Sequence, residues 1–262
     1  MVFSEVLESL HAADGGWQAK IPDDWLQGRT AFGGLQAALA VSALRRLLPG
    51  APPLRVLQTT FIAPVPAGPV RMTARILRTG KSAVHGECRI TDGEQTLCLA
   101  VAVFGSARPS SLRIAPARPD APSAESVRAM PFVDGITPAF VRHFDFHWVR
   151  GTVPFTGASE PRTSIHVRHH EPQALDERHL IAFADTVPSP GISMLRAPAQ
   201  ASSLTWTLEL VGHRCDFAPT AFWRMDTEVT AGGDGYYAQS ALLWNPDGGL
   251  AALSRQSVVI FG

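Results

Sequence analysis

The sequence predicts an α+β protein built from two similar units, each with a buried helix followed by an antiparallel sheet. Three observations predict this fold class. The same order of helix and strand patterns occurs in both halves, a proline-rich segment separates the halves, and Asp-Gly pairs mark a late hairpin in each half, at residues 92–93 and 247–248. Such a repeated order is typical of a duplicated unit.

The first helix is predicted directly after Gly33 and Gly34. Leucines follow at near-helical spacing with many alanines between them, and Pro49 and Gly50 end the pattern. Because the stretch is apolar on almost every side, we expect it to be buried.

Four strand patterns follow this helix, separated by short turns that favour an antiparallel meander. They cover residues 54–63, 70–78, 83–91 and 95–105.

The second half repeats the order. A helix is predicted over residues 176–185, where prolines 188 and 190 end it, and four strand patterns come next. They cover residues 202–211, 221–230, 236–244 and 250–261, and two further strand patterns lie before the helix at residues 144–150 and 163–169.

The middle of the chain, residues 106–138, is rich in proline, serine and alanine. Proline removes backbone donors and fixes φ, so we expect no regular structure there. The expected organisation is a first unit at residues 1–107, a linker at 108–138 and a second unit at 139–262.

The composition excludes several classes of protein. The 262 residues contain 23 Lys and Arg against 23 Asp and Glu, and a net charge of zero gives no general reason to bind nucleic acid or a membrane surface. The three cysteines fit no zinc spacing, and the apolar run at residues 98–104 is far too short to span a membrane. Glu5 and Glu8 stand where a secretory signal has basic residues. We therefore expect a cytoplasmic protein without a metal or cofactor.

Several short motifs occur in a fixed order across the two halves. They are AFGG at residues 31–34, QTTFIAPV at 58–65, GKS at 80–82, FAD at 183–185 and SRQ at 254–256. This pattern resembles the acyl-CoA thioesterases of the thioesterase II type, which have a double hotdog fold. The resemblance implies two antiparallel sheets, each wrapped around a central helix, and hydrolysis of a fatty or aromatic acyl-CoA in lipid metabolism.

The resemblance also implies the catalytic residues. In that family an Asp on the second helix, a hydroxyl on the following strand and a Gln on the last strand hold a water together. These positions correspond to Asp185, Ser203 and Gln256. Because Thr205 and Thr207 share a face with Ser203 if the strand is regular, the hydroxyl stays open among the three.

The residue types suit the chemistry of thioester hydrolysis. Burial at the end of an apolar helix would raise the pKa of Asp185 and make it a better base. Gly33 and Gly34 are expected to bind substrate, because glycines let a ligand approach the backbone N–H groups at a helix start. The structural alternatives are a helix end for Asp185, an ordinary buried hydrogen bond for Gln256 and backbone flexibility for the glycines.

Other clusters favour structural roles. His166, His169, His170 and Glu171 form a local group without a metal-binding spacing, and we interpret it as a solvated edge strand. Trp25, which precedes the first helix, either lines an acyl pocket or packs in the core.

Two other functions remain open at this point. One is a non-catalytic hotdog protein that binds an acyl chain or acyl-CoA; the other is a hotdog hydratase or dehydratase, which usually needs an Asp–His pair. The only histidine near Asp185 in sequence is His179. We also expect a homo-oligomer, a dimer or higher, because unpaired sheet edges invite pairing.

Overall fold

Thirteen strands form one continuous antiparallel sheet in the computed structural model, which describes residues 1–261. The strand order is β1-β2-β6-β7-β8-β5-β12-β15-β14-β13-β11-β10-β9, and β3 and β4 form a separate small hairpin. The first half of the chain therefore supplies one side of the sheet and the second half supplies the other.

The strands have the following bounds: β1 His11–Ala13, β2 Gly16–Ile21, β3 Leu26–Gln27, β4 Thr30–Ala31, β5 Leu54–Phe61, β6 Gly68–Thr79, β7 Ala83–Asp92, β8 Gln95–Gly105, β9 Arg128–Met130, β10 Phe144–Arg150, β11 Arg162–His169, β12 Gln200–Leu210, β13 Trp223–Gly233, β14 Tyr236–Trp244 and β15 Leu250–Phe261. The α-helices are α1 Phe3–Glu8, α2 Gly33–Leu47, α3 Glu177–Phe183 and α4 Pro190–Ser193. None of these helices is long and apolar enough to cross a membrane.

The expectation of two sheets, each wrapped around its own helix, is not met. Strand β5 of the first half pairs with β12 of the second, with Thr59 opposite Trp206, so the two halves share one sheet. The physical reason is that each half leaves one long strand with free backbone donors and acceptors, and pairing these two strands satisfies both edges.

The two helices that pack against each other differ in length. Helix α2 spans 15 residues and is buried from Gly34 to Leu44, as its apolar pattern predicts. Helix α3 spans only 7 residues and ends at Phe183, so Asp185 lies beyond it rather than inside it. A bidentate ion pair joins Arg45 near the end of α2 to Glu177 at the start of α3.

One apolar core extends through both halves. It contains residues of α1, α2 and α3 together with the helix-facing residues of strands from both sides of the sheet. Trp206 on β12, only 1% exposed, lies at the junction of the halves. The buried area at this junction favours folding of the two halves together.

The proline-rich segment is mostly irregular, but it is not entirely without structure. Residues Ala124–Ser126 form a 3-10 turn, and β9 pairs with β10 at the edge of the sheet. Residues 123–130 contain no proline, so their backbone can offer donors to the open edge of β10. The division into units 1–107 and 139–262 with a linker at 108–138 stays a prediction.

The N-terminal elements have no counterpart among the patterns found in the sequence. Strand β2 extends the sheet beside β6, and helix α1 places Phe3 5.6 Å from Trp25 between ring centroids. Short elements of this kind are too brief to show a clear period, which explains why the sequence did not indicate them.

Candidate active site

Asp185 follows α3 and lies against the start of α2. Its backbone N–H donates to the carbonyl of Ala182 at 3.1 Å, which fixes Asp185 in a turn directly after α3. A Cβ atom placed on Gly33 would lie 2.6 Å from Oδ2 of Asp185. The contact between the two helices therefore brings this carboxylate to the N-terminal end of α2.

Gln256 and Ser203 form a hydrogen-bonded chain with this carboxylate. The side-chain Nε2 of Gln256 donates to Oδ1 of Asp185 at 2.7 Å, and Oγ of Ser203 donates to Oε1 of Gln256 at 3.0 Å. Gln256 is 6% exposed, so its amide needs such partners. The structure thus brings together the three residues that the resemblance pointed to.

A bulge in β12 decides which hydroxyl faces Gln256. The register with β15 shifts between Ser203 and Thr205. As a result Ser203 shares the helix-facing side of the sheet with Gln256, whereas Thr205 and Thr207 lie on the opposite side. The expectation that the three hydroxyls share one face is wrong, because a bulge inserts an extra residue and reverses the alternation.

The environment changes the acidity of Asp185. Burial raises the pKa of this carboxyl to about 7, and the hydrogen bond from Gln256 and the backbone N–H of Gly34 only partly oppose that effect. The residue as a whole is half-buried. A carboxyl with a pKa near neutrality can both accept and release a proton at physiological pH.

The two glycines at the start of α2 leave room for the site. At Gly34 a Cβ would lie 3.1 Å from Cα of Ala182 and 2.6 Å from the ring of Phe32. The helices α2 and α3 can approach this closely only where a side chain is missing. The expected role of Gly33 and Gly34 in substrate binding stays a prediction.

Phe61 belongs to the QTTFIAPV motif, but the sequence reasoning did not place it at the site. A Cβ on Gly33 would lie 3.0 Å from Cζ of Phe61, so this ring borders the same space as the Asp185 carboxylate. Phe61 lies with Leu57 and Thr59 on the helix-facing side of β5. This spacing of two residues is the sequence feature that places Phe61 on the same side of the sheet as the site.

Three of the four residues in the histidine cluster are buried and His170 is exposed, so the interpretation as a solvated edge strand is wrong. Strand β11 lies between β13 and β10, and His166 and His169 are 8% and 3% exposed. Glu171 pairs with His179 on α3 at 2.9 Å. The strand is covered because β10 and β9 lie outside it. Within residues 1–261 no group of three or more His, Cys, Asp or Glu side chains is arranged to hold a metal ion.

Trp25 belongs to the core. Its side chain is fully buried, and its indole N–H donates to the carbonyl of Met1 at 2.9 Å. Its position favours core packing over a role in an acyl pocket.

Comparisons with known proteins agree with this architecture. The sequence profile of the acyl-CoA thioesterase N-terminal domain matches residues 21–105, and that of the acyl-CoA thioesterase C-terminal domain matches residues 116–260. No protein with a curated description matches the chain significantly.

Solved structures with low sequence identity share the fold. A conserved protein of unknown function with a hotdog fold from Alicyclobacillus acidocaldarius has a TM-score of 0.89 at 22% identity, with 99% of this chain and 98% of that chain covered. The tesB protein of Mycobacterium avium subspecies paratuberculosis has a TM-score of 0.80 at 17% identity, with 99% and 98% covered. The acyl-CoA thioesterase II TesB2 of Mycobacterium marinum has a TM-score of 0.78 at 16% identity, with 100% and 99% covered. These structures show the hotdog fold, and the two matched domains show that this chain belongs to the acyl-CoA thioesterase family.

Proposed function

We propose that this protein hydrolyses an acyl-CoA thioester to a free acid and CoA, with Asp185, Gln256 and Ser203 positioning the attacking water. The observation that carries the proposal is the chain of hydrogen bonds from Ser203 through Gln256 to a carboxyl whose pKa is about 7. Membership of the acyl-CoA thioesterase family supports the same chemistry.

Asp185 acts as the general base in this mechanism. Its ionised carboxylate takes a proton from a bound water, and the resulting hydroxide attacks the thioester carbonyl carbon. The carbon–sulfur bond then breaks as the tetrahedral intermediate collapses. CoA leaves as a thiolate, which takes the proton held by Asp185 and so regenerates the carboxylate, and the acyl group leaves as the acid.

Gln256 and Ser203 act by orientation. The bond from Nε2 of Gln256 to Oδ1 holds the Asp185 carboxylate in one orientation, so that it points in a fixed direction towards the water. Ser203 uses its proton on Oε1 of Gln256, which sets the orientation of the amide and directs its N–H groups towards the carboxylate. Donors that are already fixed in place do not have to reorient during the reaction, so no reorganisation energy is needed.

The start of α2 supplies the electrostatic stabilisation of the transition state. The first N–H groups of a helix lack partners within the helix and attract a developing negative charge. Gly33 lies beside the Asp185 carboxylate, so its backbone is close to where the carbonyl oxygen of the thioester would become an oxyanion. In this proposal Gly33 and Gly34 bind the substrate through their backbone.

The experiment is release of free thiol from a panel of fatty and aromatic acyl-CoAs. We expect turnover by the purified protein and a loss of about 10²–10⁴-fold in Asp185→Asn, the usual contribution of a general base. Unchanged turnover in Asp185→Asn would contradict the proposal. Hydration of crotonyl-CoA in place of thiol release would indicate a hydratase, and binding without any reaction would indicate an acyl-CoA binding protein.

A further inference from the structure

A row of side chains crosses the sheet beside Asp185. The strand registers place Thr59 of β5 opposite Trp206 of β12, Trp206 opposite Gln256 of β15, and Gln256 opposite Gln239 of β14. Directly opposed residues of antiparallel strands point to the same face of a sheet. Gln239 therefore stands next to Gln256 on the side that faces the helices.

The two glutamines differ in how their amides are used. Both ends of the Gln256 amide are occupied, one by Asp185 and the other by Ser203. Gln239 is 5% exposed, and within residues 1–261 its Oε1 atom has no hydrogen-bond donor. A buried acceptor without a donor is costly to a fold, because it has lost water and gained nothing in exchange.

The same face carries two further buried side chains, both hydroxyls, that lack a hydrogen-bond partner. Thr227 of β13 is two residues from Val229, the register partner of Gln239, and Thr163 of β11 lies opposite Thr227. Both threonines are 3% exposed, and their Oγ1 atoms have no partner in the part of the chain that the structure describes. The face next to the candidate site thus carries several buried polar atoms without a partner among the described residues.

We propose that Gln239 is a specificity-determining residue whose side-chain carbonyl accepts a hydrogen bond from a hydroxyl group on the acyl chain, close to the thioester. The substrate class is then hydroxyacyl thioesters rather than plain hydrocarbon acyl thioesters. This inference rests on the proposed thioester hydrolysis and adds to it the chemistry of the acyl group.

The position of Gln239 sets where the hydroxyl must be. Neighbouring strands are about 4.8 Å apart, so the backbone of Gln239 lies about one strand spacing from the backbone of Gln256, whose amide holds Asp185. A hydroxyl on the second or third carbon of the acyl chain is only a few bonds from the carbonyl that the water attacks. The thioester group itself has no donor to offer to Gln239, whereas such a hydroxyl has one.

Two other donors are available in any CoA thioester reaction, namely the attacking water and the amide N–H groups of the carrier. Both are common to all acyl-CoAs, so a bond from either would affect every substrate equally. A hydrogen bond from the acyl hydroxyl affects only the hydroxylated substrate. This difference distinguishes the acyl hydroxyl from the water and the carrier as the donor to Gln239.

The test compares kcat/KM for acyl-CoAs of one chain length with and without a hydroxyl at carbon 2 or 3. We expect the wild type to prefer a hydroxylated substrate by at least about tenfold, because a site built to bond a hydroxyl discriminates against the analogue without one. Gln239→Met should abolish the preference, and Gln239→Glu, which keeps an acceptor, should retain it. Gln58→Met changes an exposed glutamine on the other face of β5 and should leave the preference unchanged.

Absence of a preference in the wild type overturns the inference, whatever the variants do. An equal loss of activity of Gln239→Met on both substrates also overturns it and assigns the acceptor to the water or to the carrier. A binding measurement keeps the inference separate from the proposed function. Calorimetry with non-hydrolysable thioether analogues, with and without the hydroxyl, should show the same preference even if no acyl-CoA is hydrolysed, and equal affinities would refute it.

Discussion

At the scale of single residues, the candidate site depends on the position of the Asp185 carboxylate. Asp185 lies one residue beyond the C-cap of α3, and the neighbouring ring of Phe61 and the start of α2 limit its access to water. Burial outweighs the hydrogen bond from Gln256 and raises the pKa of the carboxyl to about 7. The same desolvation that makes the group a useful base also makes its charged form unfavourable to the fold.

The raised pKa predicts the pH dependence of hydrolysis. Because the base must be ionised, kcat/KM should rise with pH through about 7 and then level off. A pH–rate profile of the wild type measures this. A profile that is already flat between pH 5 and pH 8 would show that Asp185 is not the group that titrates.

The same shift predicts an effect on stability. The folded carboxyl keeps its proton up to about pH 7, whereas in the unfolded chain it is lost near 3.8, so the contribution of this group to stability falls as the pH rises between these values. Asp185→Asn cannot ionise and should raise Tm at pH 8 by several degrees, because each 1 kcal/mol of stability corresponds to about 2–4 °C in a chain of this size. At pH 3.5 the two proteins should melt alike, and a lower Tm for the variant at pH 8 would contradict the account.

The bulge in β12 predicts a difference between two hydroxyl residues. Ser203→Ala removes the donor to Gln256 and should lower kcat by about 10–10²-fold, since the amide is no longer held. Thr205→Val removes a hydroxyl on the opposite, exposed face and serves as the matched control. Equal effects of the two substitutions would show that the bulge does not select the hydroxyl.

At the scale of elements, the site depends on the close approach of α2 and α3. Arg45 and Glu177 clamp the end of α2 to the start of α3, and Glu177 also accepts from the backbone N–H of Leu54 at 3.1 Å. At the other end of the contact, Gly33 and Gly34 leave room for Asp185 and Ala182. An ion pair therefore holds the helices together at one end of their contact. At the other end the absence of glycine side chains lets them approach closely.

This arrangement makes Gly33→Ala a test of the helix contact. The new methyl group would stand 2.6 Å from Oδ2 of Asp185, so the carboxylate must move away from Gln256. We expect kcat/KM to fall by about 10²-fold, the usual result of a displacement near 1 Å. Gly233→Ala, where a Cβ meets open space, is the control. Full activity of Gly33→Ala would show that the contact is not critical.

At the scale of the whole molecule, the two halves are joined through β5 and β12 into one sheet with one core. The sheet ends on each side in a strand of only three residues, β1 and β9. Short edge strands offer little backbone for pairing with another chain. A homo-oligomer stays a prediction, which light scattering tests against the monomer mass of 28.1 kDa.

The shared sheet predicts cooperative unfolding. Separating the halves would expose the edges of β5 and β12 together with Trp206, so neither half should unfold while the other stays folded. We expect one transition in calorimetry that coincides with the change in tryptophan fluorescence. Two resolved transitions would instead support independent units at residues 1–107 and 139–262.

The sequence by itself determined the local elements of this protein. Helix α2, the long strands and the Asp-Gly hairpins follow from periodicity and turn residues, which act between neighbours in the chain; strands β14 and β15 match the prediction at both ends. The tertiary structure decided the rest. The pairing of β5 with β12, the bulge that turns Ser203 towards Gln256, and the burial of Asp185 depend on contacts between residues far apart in the chain. No local pattern encodes such contacts, because they arise only when strand edges and helix faces find partners across the fold.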